Sequence, residues 1–143
     1  MEFIRANTDD LYQECLKIRF EVFVNEQHVP EDEEVDNFES ECAHFLVEMD
    51  NQYVGTARYR LKDTQKDTIK IERVAVVKPY RGEGVGRELM NHLHKVAEQS
   101  GHKYAELGAQ IQAVPFYSSL GYEKISDMFY DAGIEHYMMR KEL

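Results

Sequence analysis

Three things are scarce in this 143-residue chain, and each scarcity narrows what it can be. Long apolar runs are missing: no stretch approaches the roughly 18 apolar residues that a membrane-spanning helix needs. The opening MEFIRANTDD has neither the basic start nor the apolar core of a secretion signal. A soluble, cytoplasmic protein with no membrane partner is therefore expected. Cysteine is confined to Cys15 and Cys42, which form no CxxC pair and suggest no disulfide framework. Cys15 stands four residues after Leu11 and three before Ile18, so it reads as a core residue. Cationic side chains are short as well, 17 Lys and Arg against 27 Asp and Glu, for a formal net charge of −10. Such a chain repels a phosphate backbone, which disfavours nucleic acid as a partner and suits a cationic or amine-bearing one.

The length fits one domain over residues 1–143, and no repeat, low-complexity tract or linker interrupts it. Much of the negative charge lies between Asn25 and Glu41, in Glu26, Glu31, Asp32, Glu33, Glu34, Asp36, Glu39 and Glu41, with no Lys or Arg among them. That run reads either as a solvated loop or as an acidic rim over an amine site.

Residues 3–6 can form a short strand. Asn7 or Thr8 can then cap a helix in which Leu11, Cys15, Ile18 and Val22 recur at helical spacing. Ala43–Met49 and Tyr53–Leu61 read as a hairpin around Asp50-Asn51-Gln52. From Thr68 to Val77 the pattern is again strand-like, yet its apolar parity changes, from Ile69 and Ile71 to Val74 and Val76. A side-chain period of two cannot do that without an inserted residue, so a β-bulge is expected near Glu72 and Arg73, unless both sheet faces are covered. Gly86–Ser100 reads as a helix with Leu89, Leu93, Val96 and Ala97 on one face and Gly101 as its cap. Lys103–Ala109 is a strand, Ala113–Leu120 a short helix stopped by Gly121. Two strand-like segments follow near Tyr122–Ser126 and Glu135–Lys141. The sum is an α+β domain on one mixed sheet of six or seven strands flanked by helices.

The segment from Val74 to Arg87, VAVVKPYRGEGVGR, runs a strand into a glycine-rich turn that opens a helix. Free N–H groups and a partial positive charge at a helix N-terminus suit a pyrophosphate, and glycines let it come close. Lys78, Arg81 and Arg87 make this the most basic stretch of an acidic chain. No Gly-Lys-Ser or Gly-Lys-Thr occurs, which excludes a P-loop. Gly82, Gly84 and Gly86 are spaced two and two with Arg87 in the third glycine's place, which does not fit a dinucleotide fingerprint.

Arg81-Gly82-Glu83-Gly84-Val85-Gly86 is similar to the Arg/Gln-x-x-Gly-x-Gly/Ala signature of GNAT acetyltransferases, whose backbone amides hold the pyrophosphate of CoA. The resemblance implies a bulged strand splayed from the next one to admit pantetheine. It implies that Val74 and Val76 offer backbone groups there, with Ala75 between them, and that Arg81, Gly82, Gly84, Val85, Gly86 and Arg87 surround the pyrophosphate. Gln110-Ile-Gln-Ala113-Val-Pro-Phe116-Tyr117-Ser-Ser-Leu-Gly121-Tyr122 resembles the family's Asn-x-x-Ala-x-x-x-Tyr-x-x-x-Gly-Phe, with Gln110 for Asn and Tyr122 for Phe. Gln110, Ala113, Phe116 and Tyr117 thereby join the expected cofactor-binding set. Arg19-Phe-Glu-Val-Phe-Val-Asn-Glu26-Gln27 and Asp131-Ala-Gly-Ile-Glu-His136 look like the ElaA/YjcF-like branch of that superfamily.

What the resemblance implies is an N-acetyltransferase that uses acetyl-CoA as co-substrate, needs no metal, and lets a small-molecule or protein amine attack directly in a ternary complex. A non-catalytic acyl-CoA sensor of the same fold and an unrelated nucleotide-binding domain are the alternatives. By its position in the motif Tyr117 is the expected proton donor to sulfur, or else a packed core aromatic. Glu72, at the expected bulge, is the expected base, or else a surface carboxylate or an ion-pair partner of Arg73. Glu26, Gln27 and His136 are substrate-side candidates. His92 and His94, two apart on a helix, face different directions and are expected in solvent rather than on a metal. The acceptor and the oligomeric state, a homodimer included, stay open.

Overall fold

The computed structural model describes residues 1–62 and 65–143. Its strands are β1 (Glu2–Arg5), β2 (Ala43–Met49), β3 (Gln52–Lys62), β4 (Gln65–Val76), β5 (Tyr104–Gln110), β6 (Glu123–Lys124), β7 (Phe129–Asp131) and β8 (Ile134–Glu142). They form one eight-stranded sheet in the order β1-β2-β3-β4-β5-β8-β6, with β7 also on β8. The six or seven strands expected become eight because β7, a three-residue piece, turns back onto β8 through Ala132 and Gly133. All the pairings are antiparallel except β4 with β5. Those two run parallel because α3 (Val85–Gln99) carries the chain back between them.

Thr8, not Asn7, opens α1 (Asp9–Arg19): its Oγ1 accepts from Leu11 N–H at 3.3 Å, and Asp9 and Asp10 sit in the first turn. The helix does not stop where its apolar spacing fades. It widens into a π-helical stretch, Phe20–Glu26, closed by Gln27 N–H on Val22 C=O at 3.2 Å. A single acidic turn, α2 (Glu31–Glu34), and α4 (Val114–Ser119) complete the helices among the described residues, apart from short 3-10 turns. The β2–β3 hairpin turns at Asp50 and Asn51, whose φ of 54° and 59° are the signs a two-residue I′ turn demands.

The sheet is covered on both faces. On one, Leu89, Met90, Leu93 and Ala97 of α3 pack on Phe45, Ala57, Ile69, Ile71 and Leu107. On the other, Cys15, Ile18 and Val22 pack on Leu46 and Ala75, so Cys15 is the core residue its spacing suggested. Double coverage explains why β2 is buried continuously from Ala43 to Val47 rather than at alternate residues.

The parity change in β4 is a bulge. Thr56 of β3 faces Ala75, but Arg58 faces Glu72, so three residues of β4 cover the span of two on β3. The extra residue falls at Arg73, whose φ of 59° is unusual for a side chain of that size. Ile69 and Ile71 belong to the α3-side core, whereas odd-numbered Ala75 belongs to the α1-side core, as a one-residue insertion requires. The parallel ladder of β4 with β5 runs from Thr68 opposite Tyr104 to Ile71 opposite Leu107 and ends at the bulge. Beyond it β4 follows β3, β5 follows β8, and the two strands part.

Candidate functional site

A cavity of about 720 Å³ opens where β4 and β5 part. Glu72 to Val76 form one wall, and Gly108, Gln110, Ala113 and Tyr117 the other. Gln27, Asp32 and Glu33 close it on the acidic side, and Asp131 and His136 at the β7–β8 end.

At the mouth lies the glycine turn. Gly82 and Gly84 have φ of 82° and 81°, and a Cβ built on either meets nothing within 4 Å. Backbone sign, not crowding, demands glycine there, and the space in front is open. Gly84 caps α3 with no side-chain hydrogen bond. The amides of Val85, Gly86 and Arg87 precede the first helical bond, Glu88 N–H to Gly84 C=O at 3.0 Å, and none has a protein acceptor among the described residues. Gly86 differs: its Cβ would meet Phe116 Cζ at 3.4 Å and Val76 Cγ2 at 3.9 Å, so this glycine sets the packing of α3 against α4 and β4. Arg81 clips the turn in place, its Nε donating to Val76 C=O at 2.8 Å and its Nη2 pairing with Glu26 at 2.8 Å. Glu26, expected on the substrate side, thus has its carboxylate on Arg81. Arg87 reaches across to Ser119 Oγ at 2.8 Å.

Tyr117 is 8% exposed and lines the cavity from α4. Its hydroxyl has no protein partner among the described residues and is not sealed off, so it looks into the cavity. Burial pushes the phenol well above its ordinary range and keeps it protonated. Behind it, Tyr122 places its hydroxyl 2.6 Å from Nε2 of His94, a buried pair that burial, then Lys141, holds neutral by pushing His94 down to about 4. The expectation that His92 and His94 lie in solvent is therefore corrected. His94 falls on the buried stripe with Met90 and Ala97, a helical spacing that could have revealed it, and His92 stacks on Phe3 at 4.7 Å.

Glu72 is directed into a cluster of cations. Its carboxylate meets Arg58 at 3.1 Å, Arg60 at 3.0 Å and Lys70 at 3.5 Å. Burial works against its charge, but Arg58, then Lys70 and Arg60, outweigh it and hold the carboxyl below its usual range. Arg58, 1% exposed, also bonds Asp36 at 2.7 Å and Glu39 at 2.7 Å, while Arg19, equally buried, bonds Glu34 and Glu39 at 2.8 Å each. Arg73, turned outward by the bulge, meets Glu34 Oε1 at 3.1 Å. The acidic run is thus neither a solvated loop nor simply a rim: Glu34, Asp36 and Glu39 are its anchors to α1, β3 and β4. Asp32 and Glu33 remain exposed on the cavity wall, with no ion pair among the described residues.

Gln110 donates to Gln27 Oε1 at 2.7 Å and accepts from Gln112 at 2.6 Å, tying the end of β5 to the π-helical segment. His136, 8% exposed, faces Gln110 across the β5–β8 ladder and hydrogen-bonds Ile134 C=O through Nδ1 at 2.7 Å. Val74 and Val76 flank the buried Ala75 on the β4 wall. Arg58, the hub of the ion network, and Gly108, the open floor beside His136, were not singled out from sequence; neither belongs to a motif, and only the folded register brings them here.

Residues 7–143 match the model of the acetyltransferase (GNAT) domain family. YjcF of Bacillus subtilis strain 168, described as an uncharacterised N-acetyltransferase, is 41% identical over 143 residues, covering 99% of this chain and 100% of its own. YyaT of the same strain, an uncharacterised protein, is 40% identical over 146 residues, 100% of this chain and 97% of its own. The crystal structure of Escherichia coli ElaA, 27% identical, superposes with a TM-score of 0.87 over 99% of each chain. With the family model matching nearly the whole length and relatives this similar end to end, this chain belongs to the GNAT acetyltransferase family.

Proposed function

We propose that the protein transfers the acetyl group of acetyl-CoA to a primary amine by direct attack in a ternary complex. The observation that carries this reading is the α3 N-terminus, where three amides behind Gly84, without a protein acceptor among the described residues, open beside the cavity left by the parting of β4 and β5. That donor set fits a pyrophosphate: fixed N–H groups, a positive helix end and no side chain in front of Gly82 or Gly84. Val85, Gly86 and Arg87 hold the phosphates through their amides, Arg81 fixes the turn, and Val74 to Val76 with Gln110 and Ala113 line the pantetheine arm. Phe116, packed under Gly86, supports the turn from below.

The activated acyl group comes with the co-substrate, so the protein positions, excludes water and handles protons. Tyr117 serves the departing sulfur. A thiol ordinarily titrates near 8.5, and burial puts the Tyr117 phenol far above that. Complete transfer of its proton would run uphill, so Tyr117 acts by donating a hydrogen bond to the developing thiolate. Glu72, stabilised as an anion by three cations, gains little from a proton; its role is to fix the β3–β4 wall. Asp32 and Glu33, exposed on the cavity wall, supply a negative field for an incoming ammonium.

The test is thiol release from acetyl-CoA with a panel of primary amines, alongside calorimetry with CoA. Binding with amine-dependent release of CoA is expected. Binding without turnover across the panel would identify a sensor, and affinity for ATP or NAD in place of CoA would end the reading altogether.

A further inference from the structure

We propose that Nε2 of His136 is the general base that takes the acceptor's proton, an assignment that rests on the N-acetyltransferase reading above. The carbonyl of Ile134 can only accept, so the 2.7 Å contact puts the hydrogen on Nδ1 of His136. In the neutral ring the lone pair is then on Nε2. That atom has no protein partner among the described residues, it is not sealed off, and the residue lines the cavity while only 8% exposed. A buried imidazole with one nitrogen locked to backbone and the other left open to a cleft is arranged to accept a proton there.

The ring is also held in place. Phe129 stacks on it with centroids 5.7 Å apart, and a Cβ on Gly108 would lie 3.8 Å from His136 Cδ2 and 3.7 Å from Phe129 Cζ. Gly108 itself is exposed, so the floor in front of the imidazole stays open to an acceptor. The charged groups sharing the cavity are Lys70, Glu72 and Arg73 on β4, Asp32, Glu33 and Glu34 on α2, Asp36 just after it, Arg81 in the glycine turn, and Asp131 on β7. Glu34, Asp36, Lys70, Glu72, Arg73 and Arg81 are each in ion pairs. Asp32, Glu33 and Asp131 have none among the described residues, which leaves an unbalanced negative field to hold the ammonium that His136 deprotonates.

The protons balance as follows. The acceptor ammonium gives one proton to Nε2, and the resulting imidazolium keeps its Nδ1–H on Ile134. The freed nitrogen bonds to the acyl carbon and the carbon–sulfur bond breaks. Nitrogen loses a second proton as the amide forms, sulfur takes one up, and the imidazolium releases the other to solvent.

His136→Asn retains a donor that can reach Ile134 and removes Nε2; His136→Gln keeps a polar group at the outer position without a basic lone pair. Both should bind acetyl-CoA with wild-type affinity by calorimetry. With the best alkylamine of the panel, near neutral pH, kcat should fall about 100-fold or more. With a weakly basic arylamine, already neutral in solution, the loss should nearly vanish, and added imidazole should restore part of the alkylamine rate. Nitrogen NMR of the wild type should report the Nδ1-protonated tautomer of His136. Wild-type alkylamine turnover in either variant, an equal loss for both amine types, or the Nε2-protonated tautomer overturns the assignment while leaving the acetyl transfer reading intact. A wild type that neither binds acetyl-CoA nor releases CoA overturns both.

Discussion

Tyr122 donates its backbone N–H to the carbonyl of Tyr117 at 3.1 Å, and the two rings meet edge-on with centroids 5.9 Å apart. Between them Gly121, at φ 98°, donates to Ser118 C=O at 3.0 Å. This is a Schellman stop with its accompanying hydrophobic contact, and it explains the sequence spacing: the glycine ends α4 so that one aromatic faces the cavity and the next seals the core. The same closure recurs at the end of α3, where Gly101 and His102 donate to Glu98 and Ala97 at 3.0 Å each.

Tyr117→Phe keeps this cap and removes only the hydroxyl. CoA affinity and melting temperature should be unchanged, and kcat should fall about 10- to 100-fold, the worth of a hydrogen bond of roughly 1.5–3 kcal/mol to a charged group. Steady-state kinetics under conditions where chemistry limits the rate will decide this. An unaltered kcat would make Tyr117 a packing residue.

His94 makes stability depend on pH. Its folded value is pushed from 6.5 down to about 4, so the folded state binds the proton less readily than the unfolded chain. The stability it contributes is complete above pH 6.5 and is lost as pH falls toward 4. The amount is on the order of 3 kcal/mol. His44 and His92 are shifted the same way, so the comparison must be between wild type and His94→Gln. Urea unfolding across this window should give a shallower pH slope for the variant; equal slopes would mean that His94 is not held neutral.

The two kinds of glycine in the turn should separate. Gly84→Val places a β-branched residue at φ 81° and puts methyl groups before the free amides. CoA affinity should drop at least about tenfold, some 1.4 kcal/mol. Gly86→Ala asks Phe116 to yield by a few tenths of an ångström and should change affinity little. Calorimetry on folded variants checks both, and a Gly84→Val protein with wild-type CoA affinity would remove the turn from the binding site.

Glu39 lies between two buried guanidinium groups, bonding Arg19 at 2.8 Å and Arg58 at 2.7 Å. Burial opposes its charge, but those partners win and hold the carboxyl far below its usual range. Glu39→Gln leaves two buried cations short of an anion and should cost about 3–5 kcal/mol in urea unfolding. A loss below about 1 kcal/mol would mean that water, not Glu39, compensates them.

The sequence carried the fold wherever a rule of local geometry was strict. A side-chain period of two made the β4 bulge visible in the parity of Ile71 and Val74, and the glycine-rich turn and Gly101 bracketed α3, whose first residue is Val85 rather than Gly86. It was silent where partners are distant. Glu34 meets Arg19 across 15 residues and the Arg73 guanidinium across 39, so nothing near the acidic run announced that its carboxylates are anchors. The π-helical turn after Arg19 has no compositional signal, and β7 is too short for alternation to register. For His136 the residue was legible as a substrate-side candidate, but the hydrogen bond to Ile134 that selects its tautomer belongs to the folded hairpin.

A crystal soaked with acetyl-CoA tests the central claim most directly. Density for the pyrophosphate against the amides of Val85, Gly86 and Arg87, with pantetheine running between β4 and β5 toward Tyr117, is the expected result. A bound cofactor lying anywhere else, or none at saturating concentration with the cavity unobstructed by neighbours, would contradict it.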